Sequence, residues 1–191
     1  AKSFERFQIA DGEMIPPGER GLLFSKRFFE RFVKNRVARD FDGIKEDWDK
    51  GARIAEDTVL ENKVCRMSRV SSSAVYQLNA EESPKIEAKL RELMPGSKGG
   101  IEELFEQFLK VDDSNIAQRY DFFYDEIGPY IDMYDVTIGD DLILQAFTNS
   151  GYVKSVKVKV RGTFNFNGLE TSDLAGATNL MDLMTFRQLY G

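Results

Sequence analysis

The apolar positions of this chain repeat with two different periods, and the places where the period changes divide it. Near the start, Leu22-Leu23-Phe24 is a short apolar run that predicts a buried strand, and Ser25 is placed to cap a helix through its hydroxyl. From Lys26 onward Phe28, Phe29, Phe32 and Val33 recur at helical spacing, with Lys26, Arg27, Glu30, Arg31 and Lys34 largely opposite, which predicts an amphipathic helix. Over residues 40–128 apolar residues return every three or four positions. Ser83-Pro84 opens a helix through Ile86, Leu90, Leu93 and Met94 that Pro95-Gly96 stops. A second helix after Gly99-Gly100 carries Ile101, Leu104, Phe105, Phe108 and Leu109, and a third over residues 114–126 carries Ile116, Tyr120 and Phe123. Residues 62–78 read either way, because Val64, Met67 and Val70 sit in a stretch whose polar residues also suggest strand alternation.

Beyond Pro129 the period falls to two. Residues 141–148 predict a strand, Asn149-Ser150-Gly151 a hairpin turn, and the return strand places Val156, Val158 and Val160 on one face and Lys157, Lys159 and Arg161 on the other. Such alternation predicts a sheet with one side wet. Gly162 predicts a bulge or a close backbone approach, with Phe164 and Phe166 continuing the buried face. The chain closes on a short strand over residues 177–181 and a helix capped by Asp182 that bears Leu183, Phe186, Leu189 and Tyr190. The expected fold is α+β: a small mixed or antiparallel sheet with packed helices, built from residues 1–39 and 129–191, plus a mostly helical insertion over residues 40–128.

Composition narrows the chemistry. The 191 residues include 26 basic and 32 acidic side chains, interspersed, for a formal charge of −6, which argues against nucleic acid as the main partner. There is no histidine, so histidine-based triads and zinc-hydrolase sites are excluded. The single cysteine, Cys65, forms no intrachain disulfide; Lys63, Arg66 and Arg69 nearby would favour its thiolate, but it lacks a histidine base. Gly96, Gly99 and Gly100 are not followed by the Lys-Ser/Thr of a phosphate loop and read as a linker. Asp132, Asp135, Asp140 and Asp141 have neither the spacing nor the terminal glutamate of a calcium loop, and read as solvated loop carboxylates. No catalytic, cofactor-binding or metal-binding residue is assigned. Three aromatics are candidate partner contacts: Trp48, set among Glu46, Asp47, Asp49 and Lys50, and Phe28 and Phe32 of the early helix, although an aromatic stripe is more often core. No apolar run is long enough to span a membrane. The start at Ala1 and the stop after the apolar-rich residues 180–190 suggest a segment of a longer chain.

With the insertion set aside, the order of elements resembles the extracytoplasmic domain of FtsX/MacB-type ABC transporter permeases, the group that includes the lipoprotein-releasing permeases. The positions that carry the resemblance are Gly12, residues 22–33, Gly139-Asp140 with Leu142 and Leu144, Val160 with Gly162 and Phe164, and residues 183–191. They cover about half the chain, and their order carries more weight than any one of them. The chain departs from that pattern in the helical block between Asn35 and Gly139 and in lacking the usual N-terminal part of the domain. The resemblance implies a non-catalytic domain on the outer, periplasmic face of the cytoplasmic membrane, within an integral membrane protein. It further implies that the domain holds no cofactor, while ATP is used by an associated ATP-binding subunit. The implied partners are that subunit, a second permease copy, and a periplasmic protein or lipoprotein cargo. Two other readings stay open: a free-standing extracytoplasmic binding protein, and a hydrolase using the carboxylates of residues 132–141 with a hard metal.

Overall fold

The computed structural model describes residues 6–147, 151–168 and 178–191. The fold is mixed α+β, as the sequence predicts, and the chain forms two compact units: Ala1–Val33 with Val136–Gly191, and Lys34–Asp135. The residues predicted as the hairpin turn, apart from Gly151, lie outside the described residues, as do Thr148 and Ala177 at two predicted strand ends.

The first unit is built on one sheet. Its strands are β1 (Phe7–Gly12), β2 (Gly21–Ser25), β3 (Asp141–Phe147), β4 (Val153–Phe166) and β5 (Asn179–Met181). The 14-residue β4 organises the rest. One of its edges pairs antiparallel first with β3 (Asp141 opposite Lys159, Phe147 opposite Val153) and then with β1 (Gly12 opposite Gly162, Phe7 opposite Phe166). The other edge takes β2 in parallel, and β5 closes the sheet antiparallel to β2. Alternation in β4 follows the expected plan, with Val156, Val158, Val160 and Phe164 buried. β2, which has neighbours on both edges, is buried over Gly21-Leu22-Leu23-Phe24, and such continuous apolar runs are what an interior strand requires. β1 was not read from the sequence, which led straight into the glycine and proline-rich loop.

Helix α1 (Lys26–Phe28) starts where the Phe28 amide donates to Ser25 Oγ at 3.1 Å. It continues as a π-helical turn over Phe29–Val33. That wider turn breaks the single apolar face expected from periodicity: Phe29 and Val33 are buried, whereas Phe32 points outward. α8 (Leu183–Tyr190) is capped by Asp182 as predicted, the Thr185 amide donating at 2.8 Å, but it buries Thr185 and Leu189 and exposes Leu183, Phe186 and Tyr190.

The second unit is helical: α2 (Arg36–Asp49), α3 (Thr58–Arg69), α4 (Ser72–Val75), α5 (Ser83–Leu93), α6 (Ile101–Leu109) and α7 (Ile116–Phe122), the last running into a π-helical turn over Phe123–Ile127. The stretch that read two ways is α3 and α4. Asp57 caps α3, accepting from the amides of Val59 and Leu60, and Leu60, Val64, Met67 and Ser68 form its buried stripe. The core gathers four fully buried phenylalanines: Phe41 lies 5.6 Å from Phe123 and 6.4 Å from Phe108, and Phe108 lies 5.8 Å from Phe105, ring centre to ring centre. Offset and edge-on rings at such distances are the favoured arrangements. The unit's two ends are stitched together: Lys34 bridges Tyr134 antiparallel, and the Asn35 amide donates to the Met133 carbonyl at 2.8 Å. Val37 and Ala38, which the sequence suggested as part of the β core, are fully buried among these helices.

Candidate functional site

Each of the three aromatic candidates sits in a defined setting. Phe28 and Phe32 are neighbours in the first unit, rings 5.0 Å apart, and Phe28 stacks in turn on Phe24 at 5.6 Å. Phe28 is half-buried; Phe32, at 57% exposure, is the outer end of this file of rings, with the Arg31 guanidinium 5.4 Å from its centre. Trp48 belongs to the helical unit and is half-buried. Its indole N–H donates to Asp113 Oδ1 at 3.1 Å, and Lys45 and Arg53 lie 5.3 and 5.4 Å from its ring. Asp113 also accepts from the amides of Ile54 and Ala55, and those two bonds chiefly hold its carboxyl below the usual value, with Trp48 adding to them against a small cost of burial. Asp113 thus ties the loop after α6 to Trp48 at the end of α2 and to the loop that follows α2.

Two of the four acidic residues of the predicted loop are engaged in backbone and strand chemistry. Asp140 Oδ2 accepts from the Thr137 amide at 2.7 Å, closing the turn before β3. Asp141 pairs across the sheet with Lys157 at 3.0 Å and Lys159 at 3.5 Å, and the Lys157 bond leads the causes that lower its pKa. Among the described residues, no three His, Cys, Asp or Glu side chains come together to hold a metal. Cys65 is exposed on α3.

Sequence reasoning missed two polar clusters. In the helical unit Asp42 accepts from the hydroxyls of Tyr120 (2.9 Å) and Tyr124 (2.5 Å) and from Lys34 Nζ (2.6 Å). Burial first, then the Asp42 bond, raises Tyr120 to about 12 and Tyr124 further. These residues stand far apart in the chain, and no local pattern around Asp42 points to its partners. In the β unit Asp11 Oδ2 accepts from Lys26 Nζ at 2.7 Å and Thr163 Oγ1 at 2.6 Å, tying β1 and β4 to the start of α1; the Lys26 and Thr163 bonds lower its pKa.

Of the residues that carry the family resemblance, Gly12, Gly139-Asp140, Val160 and Gly162 come together along one edge of β4. The Gly139 amide donates to the Val160 carbonyl and the Val160 amide to the Asp140 carbonyl, both at 2.8 Å, so the Gly-Asp step is stitched to β4. Gly12 has φ +78°, and a side chain there would stand 2.3 Å from the Arg161 carbonyl oxygen; one on Gly162 would stand 2.2 Å from the Asp11 carbonyl oxygen. Both glycines are required by contact. In comparisons with family models, with curated proteins and with solved structures, nothing matches this chain. No helix among the described residues is long and apolar enough to cross a membrane.

Proposed function

We propose that this chain is the non-catalytic extracytoplasmic domain of an ABC transporter permease of the FtsX/MacB type, handling cargo or a partner protein and moving with ATP hydrolysis carried out by a separate subunit. One observation carries this reading. Gly12, residues 22–33, Gly139-Asp140, Val160, Gly162, Phe164 and residues 183–191, divided in sequence by the helical block, fold into a single unit in which close contact leaves no room for a side chain at Gly12 and Gly162. The ends of the helical unit, held together by the Lys34 and Tyr134 bridge, suit an elaboration set into that unit at one point of its chain.

A domain with this role needs a part that does not deform and a part that meets other molecules. The sheet supplies the first: β4 is hydrogen-bonded along both edges over its central residues, and the Asp11, Lys26 and Thr163 cluster locks β1 to α1. The helical unit, which carries the chain's acidic excess, and the outward Phe32 supply candidates for the second. Phe28, Phe32 and Trp48 remain the proposed contact residues, with Trp48 acting through its tie to Asp113.

The test starts from the complete reading frame, expressed with its neighbouring genes. Membrane spans on both sides of residues 1–191, and an ATPase subunit that co-purifies from membranes with the full-length product, are expected. A full-length product that stays in the soluble fraction and draws down no ATPase would overturn the proposal.

A further inference from the structure

We propose that β3 is a docking edge for a second copy of this chain, pairing antiparallel with its own counterpart about Gln145. Among the described residues the edge is open: β3 pairs with β4 along one side, and its other side has no backbone partner. An open edge is a template for another strand unless it is short, bulged, or guarded by lysine or proline. The other outer strands of the sheet are protected in those ways. β5 has three residues, and β1 breaks register between Ile9 and Asp11. β3 has seven residues in unbroken register, no lysine and no proline, and its outward face presents Ile143 at 67% exposure and Phe147 at 78%.

The sequence of β3 selects a second copy as the occupant, because a twofold contact must be complementary to itself. With the axis at Gln145, Ile143 faces the partner's Phe147, Leu144 faces the partner's Ala146, and the two Gln145 amides meet. Aromatic and β-branched residues are favourable cross-strand pairs, and like charges opposite each other are not. The paired residues 143–147 carry no charge. Asp141, the only charged residue of β3, lies outside them and is held by Lys157 and Lys159. Five residues a side is well short of the roughly 20–30 of a standard interface, so the dimer is weak and concentration-dependent. The pairing requires nothing of the permease assignment.

The test is sedimentation velocity of the chain, 21.8 kDa as a monomer, from about 10 µM to about 1 mM, over which mass action raises the average mass toward twice that value. Ile143→Lys and Phe147→Lys, both at exposed positions and checked for folding by circular dichroism, are expected to weaken association by about tenfold or more. In a Cys65→Ser background, Gln145→Cys is expected to cross-link to itself on mild oxidation and Asp141→Cys is not. A monomer across the whole range, a dimer indifferent to both lysine variants, or cross-linking at position 141 in preference to 145 would each overturn the proposal.

Discussion

Gly162→Ala tests whether the crossing of β1 and β4 is set by contact or by chance. The φ of Gly162 is not in the left-handed region, so alanine meets no conformational barrier there, and the whole cost is steric. Its Cβ would lie 2.2 Å from the Asp11 carbonyl oxygen and 3.2 Å from the Glu13 amide nitrogen. A carbon and an oxygen need about 1 Å more than the first of these distances, so β1 must move off β4 by roughly that amount. Overpacking of this kind costs about 1–3 kcal/mol. The Glu13 amide bond to the Arg161 carbonyl, 2.9 Å long, is stretched past bonding length and adds about 1 kcal/mol. The smaller entropy of the unfolded alanine chain returns at most about 1 kcal/mol. The net loss is about 1–4 kcal/mol, read by urea denaturation, with faster amide exchange confined to Phe7–Gly12 and the second half of β4. Gly43→Ala is the control: its Cβ would meet nothing within 4 Å on helix α2, and it is expected to stabilise by up to about 1 kcal/mol. A Gly162→Ala protein within about 0.5 kcal/mol of the parent, with unchanged exchange in β1, would refute the steric reasoning.

Phe108→Ala, at the centre of the four buried rings, is expected to cost about 3–5 kcal/mol in thermal or urea unfolding, and a loss under 1.5 would mean the ring cluster is not the core of the helical unit. Asp42→Ala removes the acceptor shared by two phenols and the Lys34 ammonium and is expected to cost about 2–4 kcal/mol. Because folding raises the pKa of Tyr120 and Tyr124, their contribution is complete below pH 10 and declines as pH rises from 10 through about 12; stability that is flat across that window would contradict the cluster. Asp113→Ala is expected to shift Trp48 emission to the red and raise its quenching by acrylamide, and unchanged emission would show that the tie is not formed. Replacing Lys34–Asp135 with a short Gly/Ser linker is expected to leave a β unit that unfolds cooperatively, as measured by circular dichroism in urea.

Much of the fold is legible in the sequence wherever local signals and burial agree. β4 shows its buried valines and outward lysines directly, and the ends of α5 and α6 are marked by Ser83-Pro84, Pro95-Gly96 and Gly100. The misses have distinct physical causes. β1 is set by pairing with residues 150 or more positions away, and a six-residue strand beside a glycine and proline-rich loop carries little signal of its own. In α3 the polar residues between Val64 and Val70 mimic alternation, while the deciding signal, Asp57 as cap, lies outside the stretch in question. The π-helical turn at Phe29–Val33 shifts the apolar face by one position and turns Phe32 outward, which no periodic count can foresee. In α8 the buried residues are Thr185 and Leu189, so apolar spacing alone does not tell which of Leu183, Phe186, Leu189 and Tyr190 faces inward. The Asp42 and Asp11 clusters join residues remote in sequence, and only folding brings them together.

The bridge between Lys34 and Tyr134 also fixes an order of events during folding. β2 and β4 must find each other across the whole helical unit, and closing a loop of about 100 residues costs about 3 kcal/mol more entropy than closing one of a few residues. Once the helices have condensed and the bridge has formed, that long loop behaves as a tight turn, and parallel pairing of β2 with β4 becomes a nearly local step. The helical unit therefore acts as the assembly aid of the sheet. A chain leaving the ribosome exposes the whole helical unit before β4 emerges.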